Sequence, residues 1–305
     1  MKRILITGIN SYIGNATERY LTEYNAREGR EIYHVDKVSL RDEQWQKMNF
    51  ASYDAILHVA GIAHADVGSV SEEGKKMYYQ VNCDLTECVA KKARAEGVKQ
   101  FIYLSSVIVY GDSAGVGRHK QITAQTIPHP VNFYGDSKWQ AEQRLYLLET
   151  EQFCVAVLRP PMIYGRGSKG NFPMLLKLAS KTPIFPKIKN ERSMLYVENL
   201  AEFIRLLIER GCGGIFFPQN ADYATTAQVV QQIGSVQGRR IALWSILNPM
   251  VRLASLMSGK IGGLANKAFG SLTIDQELSV RDVAGYQVYS LEESIKRSVS
   301  DSVES

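Results

Sequence analysis

Short apolar runs alternate with longer stretches of mixed polarity along the first half of the chain. KRILIT at 2–7 reads as a first strand, and 15–24 as a helix. EIYHVDKVSL at 31–40 and AILHVA at 55–60 read as the next two strands. A helix rich in Ala, Lys and Glu is predicted over 84–96, followed by the strand QFIYLSS at 100–106. A further helix over 137–150 precedes the strand CVAVLRP at 154–160. Strands that alternate with helices in this way build βαβ units and a parallel sheet.

After Pro160-Pro161 the pattern changes. Gly165, Gly167, Gly170, Pro173, Pro183 and Pro186 punctuate short helices, which predicts an irregular lobe built onto the sheet. The expected division is 1–165 for the sheet domain and 166–305 mainly for the lobe, with some segments returning to the first domain. In 241–259, Trp244, Leu247, Val251, Leu253 and Met257 are interrupted by Arg252. A membrane-surface helix shows a strongly basic face, so this stretch reads instead as a lid or packed helix. SVSDSVES at the end reads as a frayed tail.

No apolar run approaches the length of a transmembrane span. The opening Met1-Lys2-Arg3 and ILITG is broken by Gly8, Asn10 and Ser11, which favours a strand over a signal peptide. Of the 305 residues, 45% are hydrophobic and 22% charged, as in ordinary soluble proteins. The net charge of +5 is dispersed among 31 acids, whereas a nucleic-acid footprint needs a concentrated basic stripe. No nucleic-acid partner is therefore expected, while a small polyanionic ligand is compatible. Cys83, Cys88, Cys154 and Cys212 form neither a CxxC nor a cluster at metal-ligand spacing. They predict a reducing, cytoplasmic setting and no bound metal.

Gly8 and Gly14 follow the first strand and open a helix, where backbone N–H groups and the helix dipole receive a pyrophosphate. Ser11 stands where a G-x-x-G-x-x-G pattern has its middle glycine. The end of the second strand sets the dinucleotide type. Asp36 there would bond a ribose 2′-hydroxyl and favour NAD(H). If the strand instead runs on to Ser39-Leu40-Arg41, a hydroxyl and a guanidinium would face a 2′-phosphate, which favours NADP(H). NADP(H) is the preferred expectation and NAD(H) the alternative.

Tyr134 and Lys138 are four residues apart on a helical segment and so share a face. An ammonium beside a phenol makes the tyrosine a usable acid/base for an alcohol or carbonyl. Ser105-Ser106 end a strand, and sites in parallel α/β sheets collect at such ends.

TGINSYIG, HVAG, SSVIVYG, YGDSK, RPPMIYG and RSMLYVENL together resemble the extended short-chain dehydrogenase/reductase family, in its nucleotide-sugar epimerase and reductase branch. The resemblance implies an α/β fold: a Rossmann-like parallel sheet with helices on both faces and a smaller C-terminal substrate-binding lobe. It makes Ser106, Tyr134 and Lys138 the catalytic set. It assigns Gly8, Asn10, Ser11, Tyr12, Ile13, Gly14, Ala60, Gly61 and Asn82, with Tyr134 and Lys138, to the cofactor. A UDP-linked sugar is the implied substrate, held by Ser106, Tyr134, Asn171 and Arg192, with Arg252 or Lys267 reaching the diphosphate. Asn199 replaces an Asp common in the family's motif. A homodimer is also implied, through the helices at 84–96 and 137–150.

In the family's 4,6-dehydratases an Asp-Glu pair follows the catalytic Ser/Thr, whereas Val107-Ile108 follow Ser106 and transfer no proton. Two reactions remain. One is NADPH-dependent reduction of the C4 ketone of a UDP-4-keto-6-deoxy-hexose, in plain or N-acetylated form. The other is NAD-dependent UDP-sugar 4-epimerisation, of the UDP-glucose or UDP-N-acetylglucosamine type. A dinucleotide-binding regulator without catalysis is a further class, against which the joint presence of Ser106, Tyr134 and Lys138 argues. His34 reads as a pairing or packing residue in its strand, His58 and His64 as candidates to line the cofactor crevice, and His119 and His129 as loop residues near substrate.

Overall fold

A computed structural model describes residues 1–63 and 70–299. His64 and the end of the expected tail lie outside the described residues. The first strand, β1 (Lys2–Thr7), leads through Ser11 into α1 (Tyr12–Glu28). The Ser11 side chain accepts from Gly14 N–H as an N-cap, and Gly29 closes the helix in the left-handed conformation at φ 66°. The chain continues through β2 (Tyr33–Val38) and β3 (Ala55–His58) to α2 (Glu72–Tyr79). After a π-helical turn at Gln80–Asp84 it runs into α3 (Leu85–Ala95), β4 (Gln100–Leu104), α4 (Phe133–Tyr146) and β5 (Cys154–Leu158). The helix expected at 84–96 is thus the last part of a longer helical passage. The one expected at 137–150 starts earlier, because Asn132 caps it by accepting from Gly135 N–H.

The main sheet has the spatial order β2, β1, β3, β4, β5 and then β6 (Gly214–Phe216), all parallel. Successive side chains of β1 feed opposite faces. Ile4 and Ile6 pack with Leu57, Leu21 of α1, and Leu200, Phe203 and Leu207 of α6 (Val197–Arg210). Leu5 packs on the other face with Ile56, Phe101, Val89, Ala93, Ala141 and Leu145. Burial on both faces explains why the strands read as apolar runs. β2 lies on one side of β1 and β3 on the other, so the chain switches direction above β1, where open α/β sheets bind ligands.

The later chain shares in this sheet, since β6 pairs with β5 and α6 packs on α1. The rest forms a lobe around α5 (Asn171–Lys181), α7 (Thr226–Val236) and a parallel pair, Met162–Tyr164 with Met194–Tyr196. Phe172, Leu175, Val230, Ile233 and Ile295 fill its core. The stretch at 241–259 departs from the packed helix expected of it. It holds a strand, Ala242–Trp244, a short 3-10 turn and then α8 (Asn248–Leu256), which has no buried residue. α8 packs against α9 (Lys260–Phe269). Among the described residues no helix is long and apolar enough to cross a membrane.

Candidate active site

At the first strand-to-helix turn, Gly8 adopts φ +93°, and a Cβ there would stand 3.2 Å from the Ala60 Cα. The backbone comes this close only because Gly8 has no side chain. Gly14 serves helix–strand packing, since a Cβ would lie 2.9 Å from Ile6. Ser11 sits at φ −70° and needs no glycine. Its hydroxyl occupies the Gly14 N–H, while the N–H groups of Tyr12 and Ile13 open the helix dipole toward the turn. Asn10 is exposed there, and the Tyr12 hydroxyl is buried without a hydrogen-bond partner. Gly61 continues the cradle after β3: a Cβ on it would stand 3.0 Å from Asn82 Oδ1 and 3.3 Å from Lys138 Nζ. A glycine turn beneath Ala60 and Gly61, ending at a buried asparagine and lysine, fits an extended dinucleotide.

Asp36 pairs across from Leu5, two positions before the end of β2. Its Oδ2 accepts from both Arg3 Nη2 at 3.1 Å and Tyr53 OH at 2.9 Å, while Oδ1 lies 3.5 Å from His34 Nε2. These partners hold its pKa below the usual carboxylate value against the upward pull of burial. Val38 is level with Thr7, and its carbonyl accepts from Gly8 N–H. β2 ends at Val38, so the strand does not run on to Ser39-Leu40-Arg41 as the NADP(H) expectation had it. Ser39 and exposed Arg41 lie in the loop that follows, with Ser39 Oγ accepting from Arg41 N–H at 3.2 Å.

Ser105 and Ser106 have separated roles. Ser105 is buried and donates to the Glu142 carboxylate, which also accepts from the Arg159 guanidinium. Arg159 reaches Tyr110 OH as well, so this buried network ties the end of β4 to α4 and to the residue after β5. Ser106 is half-buried and caps the turn Val107–Tyr110, accepting from Ile108 N–H at 3.3 Å. Its own O–H proton remains to be given.

Tyr134 and Lys138 lie one turn apart on α4. Burial pushes the Tyr134 phenol up to about 12 and pulls Lys138 down to about 8. Lys138 Nζ donates to the Leu104 carbonyl at 2.9 Å and stands over the Tyr103 ring. Gly135 lets α4 approach the Ser106 turn, since a Cβ would fall 2.9 Å from the Ile108 carbonyl oxygen. Asn82, on the π-helical turn, donates to Ser137 Oγ at 3.1 Å and clasps Ile62. Sequence reasoning missed the Glu142–Arg159 pair and the clasp. Glu142 does lie one further turn along the Tyr134–Lys138 face, the one signal available.

The lobe brings Asn171, Arg192 and Lys267 to one cleft, with Met162, Met174 and Thr226. Burial lowers the Arg192 pKa, and its Nη1 donates to the Lys267 carbonyl at 2.7 Å. Arg252 lies in a different cleft beside Lys187, Lys189 and Asn248. His58 is fully buried between Thr7 and Thr86 and does not line the crevice. His34 pairs with Glu31 and Asp36, and His119 Nε2 lies 3.0 Å from Thr273 Oγ1. The four cysteines are unpaired, and no metal-holding cluster occurs among the described residues.

A sequence profile described as the NAD dependent epimerase/dehydratase family matches residues 4–216. The N-acetyl-alpha-D-glucosaminyl-diphospho-ditrans,octacis-undecaprenol 4-epimerase of Escherichia coli O157:H7 is 29% identical over 224 residues, 69% of this chain. That match spans 64% of the relative, less than two thirds of its length. The UDP-glucose 4-epimerase of Vibrio cholerae is 26% identical over 295 residues, 90% of this chain and 87% of that one. Among solved structures, RMD from Pseudomonas aeruginosa complexed with NADPH aligns with a TM-score of 0.72 at 18% identity and covers 100% of both chains. This last likeness shows the fold.

Proposed function

Because the chain belongs to the NAD dependent epimerase/dehydratase family, we propose that it is an NADPH-dependent reductase of the C4 ketone of a UDP-linked 4-keto-6-deoxy-hexose, in plain or N-acetylated form. The observation that carries the cofactor choice is the engagement of Asp36 with Arg3 and Tyr53 below the strand end. Ser39 and Arg41, in the loop after β2, would then face the adenosine ribose, where a guanidinium suits a 2′-phosphate. Gly8, Ser11, Tyr12, Ile13, Gly14, Ala60 and Gly61 would hold the rest of the dinucleotide and Lys138 would meet its nicotinamide end, with buried Asn82 acting behind them as the spacer between the loop and α4.

When bound, the nicotinamide cofactor supplies the hydride. The chain's own part is to bind the ketone oxygen, polarise it and give it a proton. Ser106 donates a hydrogen bond to that oxygen. Tyr134, protonated at neutral pH, transfers its phenolic proton as the alcohol forms, and the phenolate takes a proton back from solvent. Lys138, which donates to the Leu104 carbonyl, would meet the ribose when the cofactor is bound, and its positive charge would ease the loss of the Tyr134 proton. Val107-Ile108 beside Ser106 supply no acid or base for dehydration. Asn171, Arg192 and Lys267 take the diphosphate-bearing end.

Both sequence relatives named above are 4-epimerases, which favours as the second reading an NAD-dependent epimerase using the same three residues. One experiment separates the two. Purified protein with the keto-sugar and excess NADPH should consume reduced cofactor in step with product, and Arg41→Ala should weaken NADPH binding far more than NADH binding. Conversion of UDP-sugar C4 epimers on retained NAD, with no NADPH consumed, would replace the reductase with the epimerase.

A further inference from the structure

The helical hairpin α8–α9 presents its apolar side chains outward. Met250 and Leu253 share a face of α8, with Ile246 in the turn before the helix and Met257 in the extended residue just after it. Ile246 is 76% exposed, Met250 and Leu253 each 68%, and the neighbouring Leu256 83%. Ile261 and Leu264 extend the patch onto α9, and exposed Trp244 stands at its edge. An apolar surface of this kind, gathered on one projection, marks an interaction site. The hairpin is tied to the lobe by Phe269 at the end of α9, which packs on Phe185, and by polar bonds. Asn248 donates to the Lys187 carbonyl, Asn266 Oδ1 accepts from Val116 N–H, and Arg192 donates to the Lys267 carbonyl.

Charge decides what covers the patch. The stretch 241–259 alone carries only Arg252, which is why its sequence argued against a membrane surface, but the fold sets Lys187 and Lys189 beside it. From Tyr223 to Ile274 the chain has no Asp or Glu, and Arg239, Arg240, Arg252, Lys260 and Lys267 are its only charged residues. Arg239, Arg240, Arg252 and Lys267 are exposed, as are Lys187 and Lys189 beside the hairpin. A second copy docking symmetrically through this face would set cation against cation. An anionic bilayer satisfies both halves of the surface: leucine, isoleucine and methionine enter the acyl boundary, lysine and arginine meet the headgroups, and tryptophan rests at the interface.

We infer that α8–α9 is a membrane-seating hairpin that docks the protein peripherally on an anionic lipid surface. Lys267 and Ala268 of the same hairpin line the cleft of Asn171 and Arg192, so docking brings that cleft to the bilayer. The inference goes beyond the proposed reaction, and its test reads binding and not turnover.

The full chain is floated with vesicles of phosphatidylcholine alone or mixed with equal phosphatidylglycerol, at low and high salt, alongside Leu253→Glu/Leu256→Glu and Arg252→Glu. Circular dichroism checks that each variant folds, as expected for exposed positions. Wild type should float with the anionic vesicles and the double variant should bind about tenfold or more weakly. Arg252→Glu and high salt should each weaken binding, and Trp244→Phe should remove most of the lipid-induced blue shift in fluorescence. Equal flotation of wild type and double variant, or none with anionic vesicles, overturns the inference. So does a double variant that dissolves a wild-type dimer while vesicle binding is unchanged, because the patch would then belong to a second copy.

Discussion

Asn82 holds Ile62 by both of its backbone polar groups. Its Oδ1 accepts from the Ile62 N–H at 2.8 Å, and its Nδ2 donates to the Ile62 carbonyl at 3.1 Å. Because Asn82 also donates to Ser137 on α4, one buried amide spaces the loop after β3 from the helix that bears Tyr134 and Lys138. Asn82→Ala should cost about 1–3 kcal/mol through the polar groups left unpaired. Cofactor affinity should fall as the loop loses its register. Urea unfolding and cofactor titration check this, and an unchanged midpoint would refute the clasp.

Tyr134→Phe keeps the ring against Tyr78 and removes the proposed proton donor. Turnover should fall on the order of 10²–10⁴-fold, with the unfolding midpoint and cofactor binding nearly unchanged. Stopped-flow measurement of reduced-cofactor consumption makes the test. Wild-type turnover in the folded variant would eliminate Tyr134 as the donor.

Lys138 has its pKa lowered to about 8 by burial. The ammonium is therefore present below that pH and lost above it, unlike an ordinary lysine. For the proposed reduction, kcat/KM should decline above about pH 8, approaching tenfold per unit once the amine is mostly neutral. Lys138→Met should be slow throughout and lack this alkaline limb. A wild-type profile that stays flat to pH 10 would reject the assignment.

The first five strands of the main sheet were legible because both faces of the sheet bury side chains, which leaves apolar runs, whereas β6 and the lobe strands are too short to leave one. Ser106, Tyr134 and Lys138 stand out as candidates from a strand end and a four-residue spacing. Other features arise from pairings that no local pattern records. Glu142 meets Ser105 and Arg159 only when β4, α4 and β5 are side by side. α2 is mostly polar, with Tyr78 its one buried residue, so it carries little periodic signal. The cofactor choice turned on where β2 stops, and apolar residues continue on both sides of Asp36. The apolar spacing of α8 was visible, but a pattern of apolar positions does not say whether the face is covered.

Asn199 is a further case in which a single atom decides. It is fully buried, its Oδ1 accepts from Tyr289 N–H, and its Nδ2 donates to Asn220 Oδ1 and the Tyr289 carbonyl. Asn220 cannot reverse its amide freely, because its Oδ1 also accepts from Tyr196 N–H and its Nδ2 donates to Tyr164 OH. Asn199→Asp would turn a carboxylate oxygen toward two acceptors. The substitution should cost about 1–3 kcal/mol or more near neutral pH. The deficit should shrink as acid protonates the carboxyl and restores a donor. Urea midpoints at pH 7 and pH 5 check both parts, and an equal deficit at the two would refute the pairing.

His58 predicts how the fold itself responds to acid. Thr86 Oγ1 gives its proton to the Asn82 carbonyl, so toward His58 Nε2, 3.0 Å away, it accepts. Nε2 therefore carries the hydrogen, and Nδ1 accepts from Thr7 OH at 2.9 Å. The ring is neutral and satisfied. Burial first, and the Lys138 charge second, lower its pKa to about 3. In the unfolded chain His58 takes a proton near pH 6.5. Between those values the unfolded state binds the extra proton, so the contribution is complete above about pH 6.5 and is lost as pH falls toward 3. The slope approaches about 1.4 kcal/mol per pH unit. His58→Gln supplies one donor and one acceptor without titrating. It should be less stable than wild type at pH 7.5, yet lose less stability on going to pH 5.5. Urea unfolding at constant ionic strength measures both slopes, and identical slopes would show that His58 titrates alike in the folded and unfolded chain.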